Sequence, residues 1–272
     1  MTKQAVILAA GRGLRLGGEV NGNPKCLIPF GGKTLLEHQL DVLQSHGIER
    51  CVVVVGHEAD RVRSVVSGGH VCIANQRYDE TNSLYSLWLA RHHVTGPFLL
   101  LNGDVLAHPD VYRRLLSMRT TALTYDSSSG TEAEHMKVSF RNGLLRAISK
   151  TLGADDTDGE NVGILHFDQE AANLLFKEAD HEIASGELKS WAPVAVDRMT
   201  DRVKILGVDV ADLPWTEIDF PEDLVFAREI IWPAIDRRGS REDRDNSAAA
   251  VLWSPSLPEA PVVEKPPQGS AE

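Results

Sequence analysis

The 272-residue sequence predicts an α/β protein, and three observations carry that reading. Short runs of apolar and β-branched residues recur through the first half, at 4–10 (QAVILAA), 51–55 (CVVVV), 71–74 and 98–101. Segments with apolar residues three and four apart alternate with them. Glycine-containing turns follow two of the runs, at 11–18 and 102–104. Strands alternating with helices form a sheet covered on both faces, which binds ligands beyond the carboxyl ends of its strands.

Each element has its own justification. Residues 4–10 read as a buried first strand. Residues 34–46 place Leu35, Leu36, Leu40 and Leu43 on one helical face, with Thr34 as cap and Gly47 as stop. Residues 51–55 form a second strand closed by Gly56, 58–66 a short helix and 71–74 a third strand. Residues 82–92 are helical in pattern through Leu84, Leu87, Trp88 and Arg91, and 109–118 form a further helix. In the second half, 122–125 and 137–140 read as strands. Residues 144–149 pair with 137–140 across the Arg-Asn-Gly turn at 141–143. A strand at 161–167, a helix at 169–180, a strand at 203–208 and a helix at 220–231 follow, Pro221 suiting the first turn of the last. From 236 the chain is charged and then proline-rich, and a flexible tail is expected. Residues 1–235 are expected to form one domain.

Composition narrows the class. Apolar residues make up 42% and the formal net charge is −11. No basic patch suggests nucleic acid as a partner, and no apolar stretch reaches the length of a membrane span. The N-terminal segment reads as a strand and not as a signal peptide, so a cytoplasmic location is expected. Three cysteines, Cys26, Cys51 and Cys72, match no zinc spacing, and an odd number argues against a disulfide framework. Cys51 and Cys72 open apolar runs and are expected to be buried.

The segment AAGRGLRLGGEVNGNPKCLIPFGGKTLLEH, residues 9–38, concentrates glycines and cations in an acidic chain. Glycines between strand and helix let backbone N–H groups approach a polyphosphate. Two familiar phosphate loops are absent. Gly32-Lys33-Thr34 supplies only the ending of GxxxxGK[ST], and Leu16 stands where GxGxxG needs its third glycine. Arg12, Arg15 and Lys25 lie in or beside the loop. Pro24 restricts the chain before Lys25, and a lysine so placed can neutralise charge on transferring phosphoryl oxygens.

The combination VILAAGRGLRLG…PKCLIPFGGKTLLEHQLDVL, residues 6–43, resembles the signature of the sugar-phosphate nucleotidyltransferase superfamily. Later segments, NQRYDETNSLYSLWLA at 75–90, DGENVGILHF and WTEIDFPEDLVFA among them, resemble the subgroup that activates phosphocholine and small phosphonates with CTP. The resemblance extends over residues 5–228. It implies a Rossmann-like mixed, mostly parallel sheet flanked by helices, with a smaller β-rich acceptor-binding part mainly within 121–215. It implies that Leu8, Ala9, Ala10 and Gly11 approach base and ribose, that Gly13 and Arg15 hold the triphosphate, and that Lys25 meets phosphate at the reacting centre. At 14–16 this chain has Leu-Arg-Leu, where members often begin with a small polar residue.

Asp104 ends an apolar strand, while Glu217 and Asp219 precede a helix; each alone also reads as a turn acid or cap. The resemblance assigns Asp104 and Asp219 to Mg²⁺, which favours few carboxylates plus phosphate oxygens. The implied reaction is direct displacement: an acceptor oxygen attacks the α-phosphorus of CTP and pyrophosphate leaves. For nucleotide or acceptor contacts, Asn82 and Ser83 offer hydrogen bonds, although Asn82 equally suits a helix cap. Lys137 suits the acceptor's anionic group and Glu160 or Glu217 a cationic amine. Tyr85 and Trp191 offer aromatic faces for a quaternary ammonium, although Tyr85 and Trp88 also suit helix packing. Phosphocholine, 2-aminoethylphosphonate and hydroxyethylphosphonate therefore all stay open as acceptors. A sugar-1-phosphate nucleotidyltransferase and an inactive nucleotide-binding regulator are the alternatives. Expected partners are CTP and the acceptor, with neither nucleic acid nor membrane insertion, and the open assembly states include a homodimer.

Overall fold

The computed structural model describes residues 2–20 and 22–236. The expectation of a flexible tail falls on residues outside the described ones. In chain order the elements begin β1 (Gln4–Ala9), β2 (Pro29–Phe30), β3 (Lys33–Thr34), α1 (Leu35–Ser45), β4 (Arg50–Val55), α2 (Ala59–Val65), β5 (Val71–Ala74) and α3 (Ser83–Leu89). They continue with β6 (Phe98–Asn102), β7 (Val105–Ala107), α4 (Pro109–Ser117), β8 (Ala122–Asp126), β9 (Lys137–Arg141), β10 (Leu144–Ser149) and β11 (Gly159–Phe167). The last are α5 (Gln169–Ala184), α6 (Ala192–Asp197), β12 (Leu206–Asp209), β13 (Trp215–Glu217) and α7 (Pro221–Phe226).

Nine strands form one mixed sheet in the order β5-β4-β1-β6-β11-β8-β12-β10-β9. The first four are mutually parallel, and β11 runs against β6 and β8. Alternation within the central strands explains the two-sided core. Ala5, Ile7, Cys51 and Val53 face one cluster with Leu36, Leu43, Val62 and Leu115. Val6, Val52 and Val54 face the other with Leu84, Leu87, Leu175 and Val196. Helices α1, α2 and α4 thus cover one face, and α3, α5 and α6 the other. Thr34 caps α1 as expected, its side chain accepting from Glu37 N while Glu37 bonds back to Thr34 N. Asn142 and Gly143 both take positive φ in the β9–β10 turn, the two-residue geometry that the Asn-Gly pair favours.

The structure corrects several boundaries. The expected helix at 82–92 is α-helical only to Leu89 and tightens into a 3₁₀ turn, where Arg91 lies 3.6 Å over the Trp88 ring. The late strand begins at Leu206, and the helix after Asp168 runs to Ala184. Cys51 is buried, but Cys72 on the outermost strand is only partly so. Three elements escape the sequence reading: the β2–β3 hairpin, helix α6 and the antiparallel β7–β13 ladder. Strands of two or three residues are too short to show a period. Among the described residues, no helix is long and apolar enough to cross a membrane.

Candidate active site

A cavity of about 510 Å³ opens beyond the carboxyl ends of β1 and β6. The glycine loop forms one wall. Gly13 has φ +61°, and a Cβ there would stand 2.9 Å from Lys25 Cγ, so the position requires glycine for both conformation and clearance. Leu16 is fully buried against Ile28, Phe30, Ile218 and Leu224, and it pins the loop to the segment that carries Asp219. Arg15 reaches across the mouth, 3.7 Å from Asp219 and 3.3 Å from Glu134, with its guanidinium 5.1 Å from the Phe220 ring centre.

Lys25 follows Pro24 at the start of a single 3₁₀ turn, and buried Cys26 anchors that turn. Its Nζ lies 3.4 Å from Asp104 Oδ2 and hydrogen-bonds to Asp219 Oδ1. The three side chains are only 15%, 25% and 28% exposed. Two features bring these acids together from opposite halves of the chain. In the β7–β13 ladder Glu217 stands opposite Val105, and Ile218 N donates to Asp104 O at 3.0 Å. Asp223 turns back to accept from Asp219 N and Phe220 N at 2.9 Å each. It thereby fills the capping role that Asp219 also suited, and leaves the Asp219 carboxylate to Lys25.

The charges divide unequally. Burial acts against the Lys25 ammonium, but Asp104, Asp219 and Glu217 outweigh it and raise its pKa. Burial raises the Asp104 carboxyl, with the Asp219 charge adding and Lys25 opposing. Burial also pushes on Asp219, yet the charge and hydrogen bond of Lys25, with Arg15 and Lys150, hold it below the ordinary range. Glu217 is raised well above that range by burial and then by its two acidic neighbours, and its Oε1 accepts from Asn102 Nδ2 at 3.2 Å. Burial pushes the Cys26 thiol up to about 12, which removes it as a nucleophile. Among the described residues no three His, Cys, Asp or Glu side chains form a metal cage of their own. The donor set, two carboxylates converging on one ammonium, fits a hard cation that completes its shell with phosphate oxygens.

Of the residues singled out in the sequence, Leu8, Ala10, Gly11, Gly13, Arg15 and Lys25 line the cavity, as do Asn82, Ser83, Asp104, Trp191, Glu217 and Asp219. Four do not. Ala9 points into the core beneath the sheet. Tyr85 packs on Trp88, ring centres 5.3 Å apart. Lys137 and Glu160 face each other on the β9–β11 ladder and are buried; Lys137 donates to Lys150 O, and Glu160 lies 3.5 Å from His135 Nδ1. Their sequence neighbours Met136 and Asn161 line the cavity instead. Adjacent strand residues face opposite ways, so the lining lies one position away from the residues the sequence singles out. Asn82 caps α3, accepting from Ser83 N at 2.8 Å, and Ser83 Oγ accepts from Ala192 N at 2.8 Å. The cavity also includes Asn75, Thr81, Ser86, Glu134 and Lys150. Lys150 lies 3.1 Å from Glu134 and 4.9 Å over the Trp191 ring. Asn75, Ser86 and Lys150 fall within or beside resembling segments, but nothing in the sequence separated them from their neighbours. A second, mostly apolar cavity of about 370 Å³ lies between α1, α4 and Trp232, and none of these charged groups reaches it.

Comparison with known proteins gives a consistent picture. The model of the MobA-like NTP transferase domain matches residues 5–166. A CMP-5'-(3-aminopropyl)phosphonate synthase of Streptomyces rubellomurinus is 30% identical over 240 residues, covering 81% of this chain and 37% of the relative. A choline-phosphate cytidylyltransferase of Streptococcus pneumoniae is 26% identical over 239 residues, covering 84% of this chain and 98% of the relative. The solved inositol-1-phosphate CTP transferase of T. maritima superposes with TM-score 0.72 at 21% identity, covering 87% of this chain and 96% of that one. The chain spans only about a third to a half of the length of several curated relatives it matches.

Proposed function

The chain belongs to the MobA-like NTP transferase family, and is thus a nucleotidyltransferase by descent; from that premise we propose that it is a CTP-dependent cytidylyltransferase. It transfers CMP to a small phosphorylated alcohol or phosphonate, of the phosphocholine or 2-aminoethylphosphonate kind, and releases pyrophosphate. The observation that carries the reading is Lys25, held between Asp104 and Asp219 beside the glycine loop. The choice of CTP and of a small acceptor is supported by the phosphonate synthase and the choline-phosphate enzyme among the relatives.

The chemistry follows from the charges. An ionised acceptor oxygen attacks the α-phosphorus in line. One P–O bond forms while the bond from the α-phosphorus to the β-bridging oxygen breaks, and pyrophosphate leaves with that electron pair. No side chain has to accept a proton. The glycine loop offers N–H groups to the triphosphate, and Arg15 adds a cation at the mouth. Lys25, its pKa raised, stays charged at neutral pH and offsets negative charge on the transferring phosphoryl oxygens. Asp104 and Asp219 are the residues that would hold Mg²⁺, which supplies charge neutralisation between acceptor and triphosphate.

The test is pyrophosphate release from each of the four NTPs, with Mg²⁺ or with EDTA. The acceptor panel contains phosphocholine, 2-aminoethylphosphonate, 2-hydroxyethylphosphonate and glucose-1-phosphate. Release confined to CTP and a small acceptor, and lost with EDTA, is expected. Release with the sugar phosphate identifies a sugar-1-phosphate nucleotidyltransferase, and nucleotide binding without release from any pair identifies a regulator.

A further inference from the structure

The end of the cavity away from Asp104 contains a hydroxyl whose oxygen is already engaged as an acceptor. Asn75 follows β5, and in the sheet order β5-β4-β1-β6 it lies three strands from the end of β6, where Asp104 follows. At a strand spacing of about 4.8 Å that is roughly 14 Å, enough to separate a base from its triphosphate.

Asn75 is 2% exposed, and its amide orientation is dictated by the backbone. Arg77 N donates to Asn75 Oδ1 at 3.0 Å, so the other end of the amide is the NH₂ group. That group donates to Thr81 Oγ1 at 3.0 Å and to Ser86 Oγ at 3.1 Å. Thr81 passes its own proton to Arg77 O at 2.7 Å. Ser86 does not complete the circuit. It is 4% exposed and lines the cavity, its oxygen accepts from Asn75, and its proton meets no acceptor among the described residues. A buried hydroxyl left so costs about 1–3 kcal/mol, and a ligand acceptor in the cavity relieves that cost.

We infer that Ser86 reads the base, donating its hydroxyl proton to N3 of cytosine and so selecting CTP over UTP. The inference rests on the CTP reading above. Cytosine N3 is an acceptor, whereas uracil N3 carries a hydrogen. The serine oxygen has a second lone pair, but accepting from uracil N3–H would leave its own proton without an acceptor. The chain Arg77 N–H, Asn75, Ser86 is therefore polarised toward one of the two pyrimidines.

Equilibrium binding with Mg²⁺ and no acceptor tests this with CTP, UTP and 3-deaza-CTP, in which C–H replaces N3. Wild type is expected to bind CTP about tenfold or more tightly than either of the others. Ser86→Ala is expected to bind all three within about threefold of one another, with an unchanged melting temperature. A merely structural serine would weaken all three alike and leave their ratios as in wild type. Equal wild-type affinity for CTP and 3-deaza-CTP, or a variant that keeps the full preference for CTP over UTP, overturns the inference and leaves the CTP reading standing. A wild type that prefers UTP, or binds neither pyrimidine nucleotide, overturns both. If Ser86→Ala does not fold, the wild-type comparison of CTP with 3-deaza-CTP decides alone.

Discussion

Replacing Lys25 by methionine preserves the bulk of the side chain and removes its charge from among Asp104, Asp219 and Glu217. At 3.4 Å and an effective dielectric of about 20, one ammonium–carboxylate pair attracts with about 5 kcal/mol before desolvation is subtracted. Removing one partner of a buried pair costs about 3–5 kcal/mol, because the other charge stays behind unpaired. For a domain of this size that corresponds to a fall in Tm of about 10 °C at pH 8. The loss depends on pH in a defined direction. Lys25 holds Asp219 low, and that stabilisation is present above the ordinary carboxyl range and fades as pH falls through the lowered value. The gap between wild type and Lys25→Met therefore narrows in acid. Activity tells the other half: losing a charge aimed at the transferring phosphoryl group lowers kcat about 10²–10³-fold. Thermal melts at pH 8 and pH 4, with single-turnover pyrophosphate release, measure both. A variant that melts with wild type at pH 8 and releases pyrophosphate within threefold of its rate would refute the reasoning.

Glu217→Gln is expected to stabilise the protein at pH 8 by about 1 kcal/mol, or 2–4 °C in Tm. The amide oxygen still accepts from Asn102, and a buried carboxyl whose ionisation burial and two acidic neighbours oppose is gone. Because the Glu217 pKa is raised in the fold, its cost is present above that value, so the gain shrinks as pH falls and is absent below about 4.5 in calorimetric melts. Gly13→Ala must hold φ +61° and displace the Lys25 stem; NTP affinity and kcat should each fall at least about tenfold, measured by titration and pyrophosphate release. Glu134→Ala releases Arg15 and Lys150 from one carboxylate, and NTP binding at low ionic strength should tighten about threefold, with the effect lost in 0.5 M salt.

The parts legible in the sequence are those fixed by local pattern. Strands β1, β4 and β6 are central and buried on both faces, so they read as unbroken apolar runs. The glycine loop, Arg15 and Lys25 lie within one segment and are legible together. Asp104 and Asp219 became a pair through resemblance, since the ladder that joins them has three residues on each strand and no periodic signal. The remaining misses share a cause. Lys137, Glu160 and Tyr85 carry conspicuous chemistry, yet Met136, Asn161 and Ser86 beside them line the cavity. Composition reveals which residues can bind, but a single step along a strand or helix decides which ones face the ligand.

The β7–β13 ladder also governs how such a protein can change. Asp104 enters it and Ile218, just before Asp219, leaves it, and their backbones remain hydrogen-bonded neighbours although 108–214 intervenes. That intervening stretch is a detour whose exit stands beside its entrance. Its connecting loops can be lengthened, trimmed or exchanged while the two acids keep their places, so long as β11 stays paired to β6, much as rooms are rebuilt behind a single doorway. A chimera that swaps 108–214 for the corresponding stretch of a relative thus carries a new interior to an unaltered threshold.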